Sequence, residues 1–509
     1  MEENKLNIYN SNIIKWYPFE KEKNILQIGE KISIIDDQQK IKQVEKIDEI
    51  KDNSKYDYII IYGYEKYFDL ISQIVKFLSL EGKILIIGEN ATGINNWSKC
   101  ETKEKNNSLK VEKNDEKSKT IEHIKKELKE NNIKNINTYY VFPNYKETEL
   151  IVNENFNIND SQIEKYNQAI SEDEIKLFDE IKVLKYIVTN EKELIKFFAN
   201  SYIIEASNAE VNKGFKYISF NNCRKQEYQL MTIIKDDVVE KLPVNSKAIS
   251  HINGMANIIN DLKKSDIEIL DYVENGKLYS KLIKNEKTLD LILDENYKDF
   301  EKIKEILNKL RTLLLRNSQK YEICKNKVKI QEKEELLKKL NYLPKAYWDM
   351  IPKNCFYINE KFVFFDQEWE KEYLPVEFII YRSVINSYDL VRKINVEKLL
   401  EELGILEFKN CFEKIDKKLR DEIIEKDIFD KMYCKKITSI DNLINDKKIA
   451  ESCLKDANED NKKKQEYIEQ LEEDNRRKQE YIISLEEQNK NNREYIKKLE
   501  NKRRVFWKR

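Results

Sequence analysis

Residues 348–369 read "WDMIPKNCFYINEKFVFFDQEW". "CFYI" (355–358) and "FVFF" (362–365) are short runs of β-favouring residues, with Asn359, Glu360 and Lys361 between them. A tight hairpin returns the chain beside its start, so Asn354, just before the first strand, is expected near Asp366, just after the second. Two converging oxygen donors suit a hard cation such as Mg²⁺ that bridges phosphates. Asp349, five residues before Asn354, is expected across the loop, placed to orient an acceptor hydroxyl. The competing reading is a buried hairpin flanked by capping Asp and Asn residues.

Outward from this hairpin the pattern divides. "GFKYISFNNCRKQEYQLMTIIKDDVVEKL" (214–242) holds strand-like runs with polar turns. "SKAISHINGMANIINDL" (246–262) reads as an amphipathic helix through Ile249, Ile252, Met255 and Ile259. "IEILDYVENGKLYSKLI" (267–283) gives two strands joined at Asn275-Gly276, a strong hairpin signal. The remainder up to the tail is mostly helical apart from the opening hairpin. A β-rich region therefore precedes a helical one.

Toward the N-terminus, "NILQIG" (24–29), "YDYIIIYG" (56–63) and "GKILIIG" (82–88) read as buried parallel strands. "FDLISQIVKFLSL" (68–80) has helical spacing through Ile71, Ile74, Val75 and Leu78. Strand, helix and strand in this order predict an α/β sheet. Residues 98–120 are polar and nearly devoid of apolar side chains, as a loop or linker would be. Residues 121–145 then supply a helix and a strand that return to the same sheet.

The tail repeats at a spacing of fourteen: "QEYIEQLEEDNRRK", "QEYIISLEEQNKNN" and "REYIKKLENKRR". Ile468, Ile482 and Ile496 fall at heptad a positions, Leu471, Leu485 and Leu499 at d, and Asn475 and Asn489 at the intervening a positions. Such a seam trades stability for register and oligomer state, and predicts homo-oligomerisation through 454–503, a dimer before a trimer. "NKRRVFWKR" (501–509) reads as a helix end, with peripheral contact to an anionic membrane face as the alternative.

At 509 residues the chain has room for two or three domains. Lys+Arg 92 against Asp+Glu 93 leaves nothing global to draw it to nucleic acid. Only nine residues are glycine, which limits any glycine-cradled phosphate site. The seven cysteines contain no C-x-x-C, and His123 and His251 lie far from all of them, against zinc and Cys/His catalysis. No signal peptide opens the chain and no apolar run reaches the roughly 18 residues of a membrane span. A reducing cytoplasm is expected.

Up to residue 145 the chain resembles class I S-adenosylmethionine-dependent methyltransferases of bacterial surface-polysaccharide clusters. "WYPFEKEKNILQIGE" stands at their lead into the first strand and glycine loop, "YDYIIIYGYEKY" at their fourth-strand motif. "GKILIIGENATGINNW" and "TYYVFPNY" resemble the later signatures, roughly "IENRLGLKYW" and "YYPLPDY". The family loop is G-x-G-x-G; here Gly29-Glu30-Lys31-Ile32-Ser33 keeps one glycine. The 27 residues between Gly29 and Asp57 are too few for the usual two helices and two strands. The resemblance implies a degenerate, truncated Rossmann-like module. It would make Gly29 the remaining S-adenosylmethionine contact and Asp36 or Asp37 the nearest ribose acid, in a half expected to bind no methyl donor.

Residues 201–435 resemble the kinase-like fold of aminoglycoside and choline phosphotransferases, in the versions fused behind such methyltransferases. "DMIPKN" matches the D-x-x-x-x-N loop and "FFDQEW" the metal-binding motif, while "VVEKLPVNSKAISHI" resembles the third strand and following helix. The resemblance makes Asp349 the catalytic residue, Asn354 and Asp366 the Mg²⁺ ligands, and Lys241 the contact to ATP phosphates. Glu368 and Trp369 are assigned structural roles. Three features depart from the family. Tyr347 replaces the usual His; helix 246–262 offers only Asp261, at its far end, to pair with Lys241; and "SFNNCRKQEYQL", at the nucleotide-covering loop, has no glycine.

The expected architecture is therefore α/β and α+β multidomain. A truncated Rossmann-like module occupies 1–97, a polar linker 98–120 and the rest of the α/β module 121–200. A two-lobed kinase-like domain occupies 201–435 and a coiled-coil tail 436–509. The order resembles chain-terminating enzymes of O-polysaccharide synthesis, implying phosphotransfer to a sugar or glycan end beside a glycosyltransferase or polymerase partner. The alternatives are a non-catalytic oligomeric scaffold for glycosyltransferases and an active methyltransferase.

Overall fold

Ile59, Ile60 and Ile61 form a run with no polar face, and such a strand is stable only with both faces covered. In the computed structural model the run lies in β3 (Tyr56–Tyr62), between β1 (Asn24–Gly29) and β4 (Leu78–Glu89), all parallel. The structure describes residues 12–32, 40–50, 54–67, 69–100, 119–158, 163, 175–265, 267–426 and 440–506. Ile59 and Ile61 face one layer with Ile124 and Leu128 of α1 (Ile121–Glu130) and Leu184 of α2 (Glu180–Asn190). Tyr58 and Ile60 face the other layer, where Ile13 of the short helix Asn12–Lys15, Trp16 and Phe215 cover them.

Strand β2 (Lys40–Val44) pairs with β1 on the side opposite β3, so the chain reverses its winding at β1. That reversal is the switch point of a doubly wound sheet. Beyond β4 the pairing becomes antiparallel, through β5 (Asn135–Phe142), β6 (Leu150–Asn153) and β7 (Ser201–Ser207). The sheet then continues into β8 (Tyr217–Phe220), β9 (Leu230–Ile234), β10 (Val238–Pro243), β11 (Asp271–Glu274) and β12 (Lys277–Lys281). The result is one 12-stranded sheet in the order β11-β12-β10-β9-β8-β6-β5-β7-β4-β3-β1-β2. The β6–β8 pairing, with Val152 opposite Tyr217, joins the Rossmann-like strands and the antiparallel strands that follow into a continuous layer.

Several local expectations change. The helix expected over 68–80 is an α-turn at Leu70–Ile74 and a 3₁₀ turn at Val75–Phe77, because Leu78 pairs with Tyr56 and enters β4. Sheet pairing outweighs helical spacing there. Within the expected linker, Lys99–Cys100 pairs with Ile175–Lys176, and Thr120 caps α1 by accepting from the His123 amide. Asp36 and Asp37 lie outside the described residues. The turn at Asn275-Gly276 forms as expected, with φ of 50° and 70°.

Helix α3 (Ile249–Lys264) packs Ile252, Met255 and Ile259 against Leu230 and Leu278, but Ile249 is exposed, one turn before the buried stripe begins. A separate apolar core unites α4 (Phe300–Leu315), α5 (Val376–Ile385) and α6 (Lys409–Ile423). Residues 438–509 form a second compact unit, whose helix α7 (Ile440–Phe506) runs for 67 residues. Its a and d residues Ile468, Leu471, Ile482, Leu485, Ile496 and Leu499 are exposed within this single chain.

Gly29 has φ +105°, and an added Cβ would strike the Tyr62 carbonyl oxygen on β3. Gly29→Ala is expected to destabilise the sheet by roughly 1–3 kcal/mol, read as a lower urea midpoint. An unchanged midpoint would show that β1 and β3 do not approach this closely.

Candidate functional site

The hairpin forms as β13 (Cys355–Ile358) and β14 (Lys361–Phe364), with Cys355 opposite Phe364 and Ile358 opposite Lys361. Its loop is two residues, Asn359 and Glu360, both at positive φ, so Lys361 belongs to the strand and not to the turn. Two positive φ values are what a tight hairpin loop matched to strand twist requires. At its base the Phe365 amide donates to the Asn354 carbonyl (3.0 Å), and the Asn354 side-chain amide donates to the Asp349 carbonyl (3.2 Å). The Glu368 amide donates to Asp349 Oδ2 at 3.4 Å. Asp349, Asn354 and Asp366 thus surround the base of one ribbon.

Asp366 has φ 59°, and its amide donates to Asp271 Oδ2 at 2.6 Å. Its carboxylate forms an ion pair with Lys241 of β10, and Lys241 also pairs with Glu368. Glu368 in turn accepts from Arg224 Nη1 at 2.5 Å and lies 3.5 Å from His251 Nε2 on α3. The Arg224 guanidinium sits over the Trp369 ring, 5.3 Å from its centroid, with His251, Tyr228 and Trp348 packed around the same indole.

Sequence reasoning nominated Lys241 as a phosphate contact and Asp366 as a metal ligand without pairing them, and missed Asp271, Arg224, His251 and the ionic role of Glu368. Asp261 pairs instead with Lys345 (2.5 Å) and Lys264, so it does not serve Lys241. Glu368 takes that task because it follows Asp366 by two residues and the chain brings it beneath β10. Its proximity in "DQEW" was the available signal; Asp271 carried none, since only tertiary pairing puts β11 beside the hairpin.

The electrostatics are tightly coupled. Burial disfavours the charge on Lys241, but Asp366 and Glu368 hold it protonated well above the ordinary lysine range. Burial also opposes ionisation of Glu368, yet Arg224 and Lys241 hold its carboxyl well below the usual range. Asp349 has no such counter-charge close by. Burial first, then Glu368, push its pKa up to about 7, with Arg382 acting in the opposite direction. Burial and Asp366 raise Asp271 to about 6. Asp271 Oδ1 and Gln367 Oε1 are buried here without hydrogen-bond partners among the described residues.

Gly29 occupies a different setting. Its carbonyl accepts from Gln43 Nε2 at 3.3 Å, and the Tyr67 hydroxyl stands 3.2 Å from where its Cβ would be. Glu30 beside it pairs with Lys66 at 2.5 Å. The need for glycine at this position is explained by the close approach of β3.

No protein-family model matches the chain, and no curated protein matches it. Among solved structures it is similar to a SAM-dependent methyltransferase from Archaeoglobus fulgidus, at 16% identity and a TM-score of 0.23, over 40% of this chain and 93% of that one. It is also similar to a Haemonchus contortus phospholethanolamine N-methyltransferase 2 bound to phosphomonomethylethanolamine and S-adenosylhomocysteine. That match has 15% identity and a TM-score of 0.21, over 40% of this chain and 52% of that one. The chain thus spans about half the length of the latter. At such TM-scores neither likeness carries an argument; the Rossmann-like description rests on strand order.

A folded-state carboxyl at about 7 binds its proton more tightly than the unfolded chain does, so its penalty grows as pH rises from about 4 to 7 and is constant above. Asp349→Asn should remove this penalty. The variant is expected to exceed the native chain by roughly 1–3 kcal/mol in urea unfolding at pH 8, with the gap closing toward pH 4. Equal stability at both pH values would contradict the burial of an uncompensated carboxyl.

Proposed function

We propose that residues 201–435 are a kinase-like phosphotransferase acting on a hydroxyl of a sugar or glycan end. The observation that carries this reading is Lys241, held between Asp366 and Glu368 beside a high-pKa Asp349. A lysine so placed exchanges one carboxylate for the phosphates of ATP without losing the other. Asp349 accepts the acceptor hydroxyl's proton as the oxygen attacks the γ-phosphorus; the bond to the bridging oxygen breaks and ADP leaves. A carboxylate with a pKa near neutral suits that exchange.

Among the described residues no group of three or more His, Cys, Asp or Glu side chains is gathered to hold a metal. Mg²⁺ in such sites takes one or two protein oxygens and completes its shell with phosphates and water. Asn354 and Asp366, on either side of the hairpin base, would be those two donors once Asp366 is released from Lys241. The ion supplies charge neutralisation on the transferring phosphoryl group.

A second reading, a non-catalytic scaffold, is favoured by Arg224. Its guanidinium stacks on Trp369 and is bound to Glu368, where it would compete with an entering nucleotide. In either reading α7 associates with a second copy, because its exposed stripe repeats with heptad spacing. The S-adenosylmethionine side is proposed to be inactive, and the whole to work in the cytoplasm, peripheral to the membrane face, beside a glycosyltransferase. Among the described residues no helix is long and apolar enough to cross a membrane.

ATP with Mg²⁺ is expected to raise the melting temperature by several degrees, whereas ATP with EDTA should not, and Asp366→Ala should abolish the shift. No shift in the native chain would leave the scaffold reading. Sedimentation should give a dimer that Ile482→Asp with Leu485→Asp converts to monomer; a monomeric native chain would refute association through α7.

A further inference from the structure

A cavity lies away from the cleft. About 590 Å³ in volume, it is enclosed by residues 327–331, 371–374 and one face of α6, and includes none of Lys241, Asp349, Asn354 or Asp366. That volume is in the range of small-ligand sites. Its floor is apolar: Cys411, Leu374 and Leu419 are buried, and Ile330 and Ile415 half-buried. Its rim has a cationic excess, five lysines against Glu372 and Glu422.

The lysines of this rim differ from others in the helical region. Lys309 pairs with Glu305 and Glu360, Lys339 with Glu407, and Lys393 with Asp294. At the cavity, Lys371 pairs with Glu422 at 2.6 Å and Lys327 meets the Tyr373 hydroxyl at 2.9 Å. Lys329, Lys414 and Lys418 are exposed and have no carboxylate within 4.0 Å among the described residues. Lys414 and Lys418 are also one helical turn apart on α6, a like-charge spacing that disfavours the helix. With Lys417 they line a shallower depression that continues the basic surface past Glu422 toward Lys225.

A solvated lysine face is convex and has no apolar floor. Here unpaired cations ring a concave apolar surface, which is the complement of an anionic head carrying an apolar tail. We infer that this cavity binds a phosphate-bearing amphiphile, with the phosphates on Lys329, Lys414 and Lys418 and the tail against Leu374, Ile415 and Leu419. The inference does not depend on phosphotransfer, since the two sites share no residue.

Titration calorimetry of the full chain with farnesyl diphosphate and with inorganic pyrophosphate separates the outcomes. Farnesyl diphosphate is expected to bind at least tenfold more tightly than pyrophosphate, and Lys414→Gln with Lys418→Gln to weaken it at least tenfold. Both substitutions are on exposed positions, and an unchanged melting temperature confirms an intact fold. A Leu419→Ser variant that keeps its melting temperature should lose the preference for farnesyl diphosphate while retaining pyrophosphate. Equal binding of the two anions, no binding of either, or binding indifferent to the lysine substitutions would each overturn the inference. Flotation with phosphatidylglycerol vesicles distinguishes the source: lysine-dependent flotation marks a membrane headgroup, and calorimetric binding without flotation a free diphosphate.

Discussion

A buried ammonium with two carboxylates is the constraint around which the rest is arranged. Lys241 comes from an antiparallel strand of the large sheet, whereas Asp366 and Glu368 come from the segment following a hairpin in the helical region. Removing Lys241 would take from Asp366 its ion pair and leave Glu368 with Arg224 alone, and breaking a buried pair costs about 3–5 kcal/mol in comparable sites. The pair therefore fixes how sheet and hairpin meet. Arg224 and His251 extend the same network, and Trp369 supplies the aromatic face on which it rests.

That network also explains the split between its acids. Glu368 and Asp349 are both buried, but Glu368 is surrounded by cations and stays ionised, while Asp349 receives the repulsion of Glu368 with less relief. Two carboxyl groups driven apart in this way acquire different chemical capacities, one as a fixed counter-ion and the other as a proton acceptor near neutral pH.

Much of the fold was legible where local chemistry dominates. The all-apolar strands around Ile59–Ile61 announced a sheet buried on both faces, and Asn275-Gly276 announced its turn. The hairpin at 355–364 was readable from β-favouring runs, although Asn359 and Glu360 alone make the loop. Long-range pairing was not legible. Leu78 looks helical until Tyr56 is found beside it, and nothing in the sequence says that β6 pairs with β8 to fuse two sets of strands into a single sheet. At the site, Asp349, Asn354 and Asp366 could be nominated by spacing, and Lys241 by the resemblance of its strand. Asp271, Arg224 and His251 could not, because each reaches the cluster from an element whose position only the folded chain determines.

The most direct measurement is a crystal structure of the full chain grown with Mg²⁺ and ADP. Lys241 is predicted to leave Asp366 for a phosphate oxygen while keeping Glu368, with the ion held by Asn354 and Asp366 and Arg224 displaced from Trp369. Crystals soaked at millimolar nucleotide that show Lys241 still bound to both acids, with no nucleotide between the sheet and the hairpin, would contradict it.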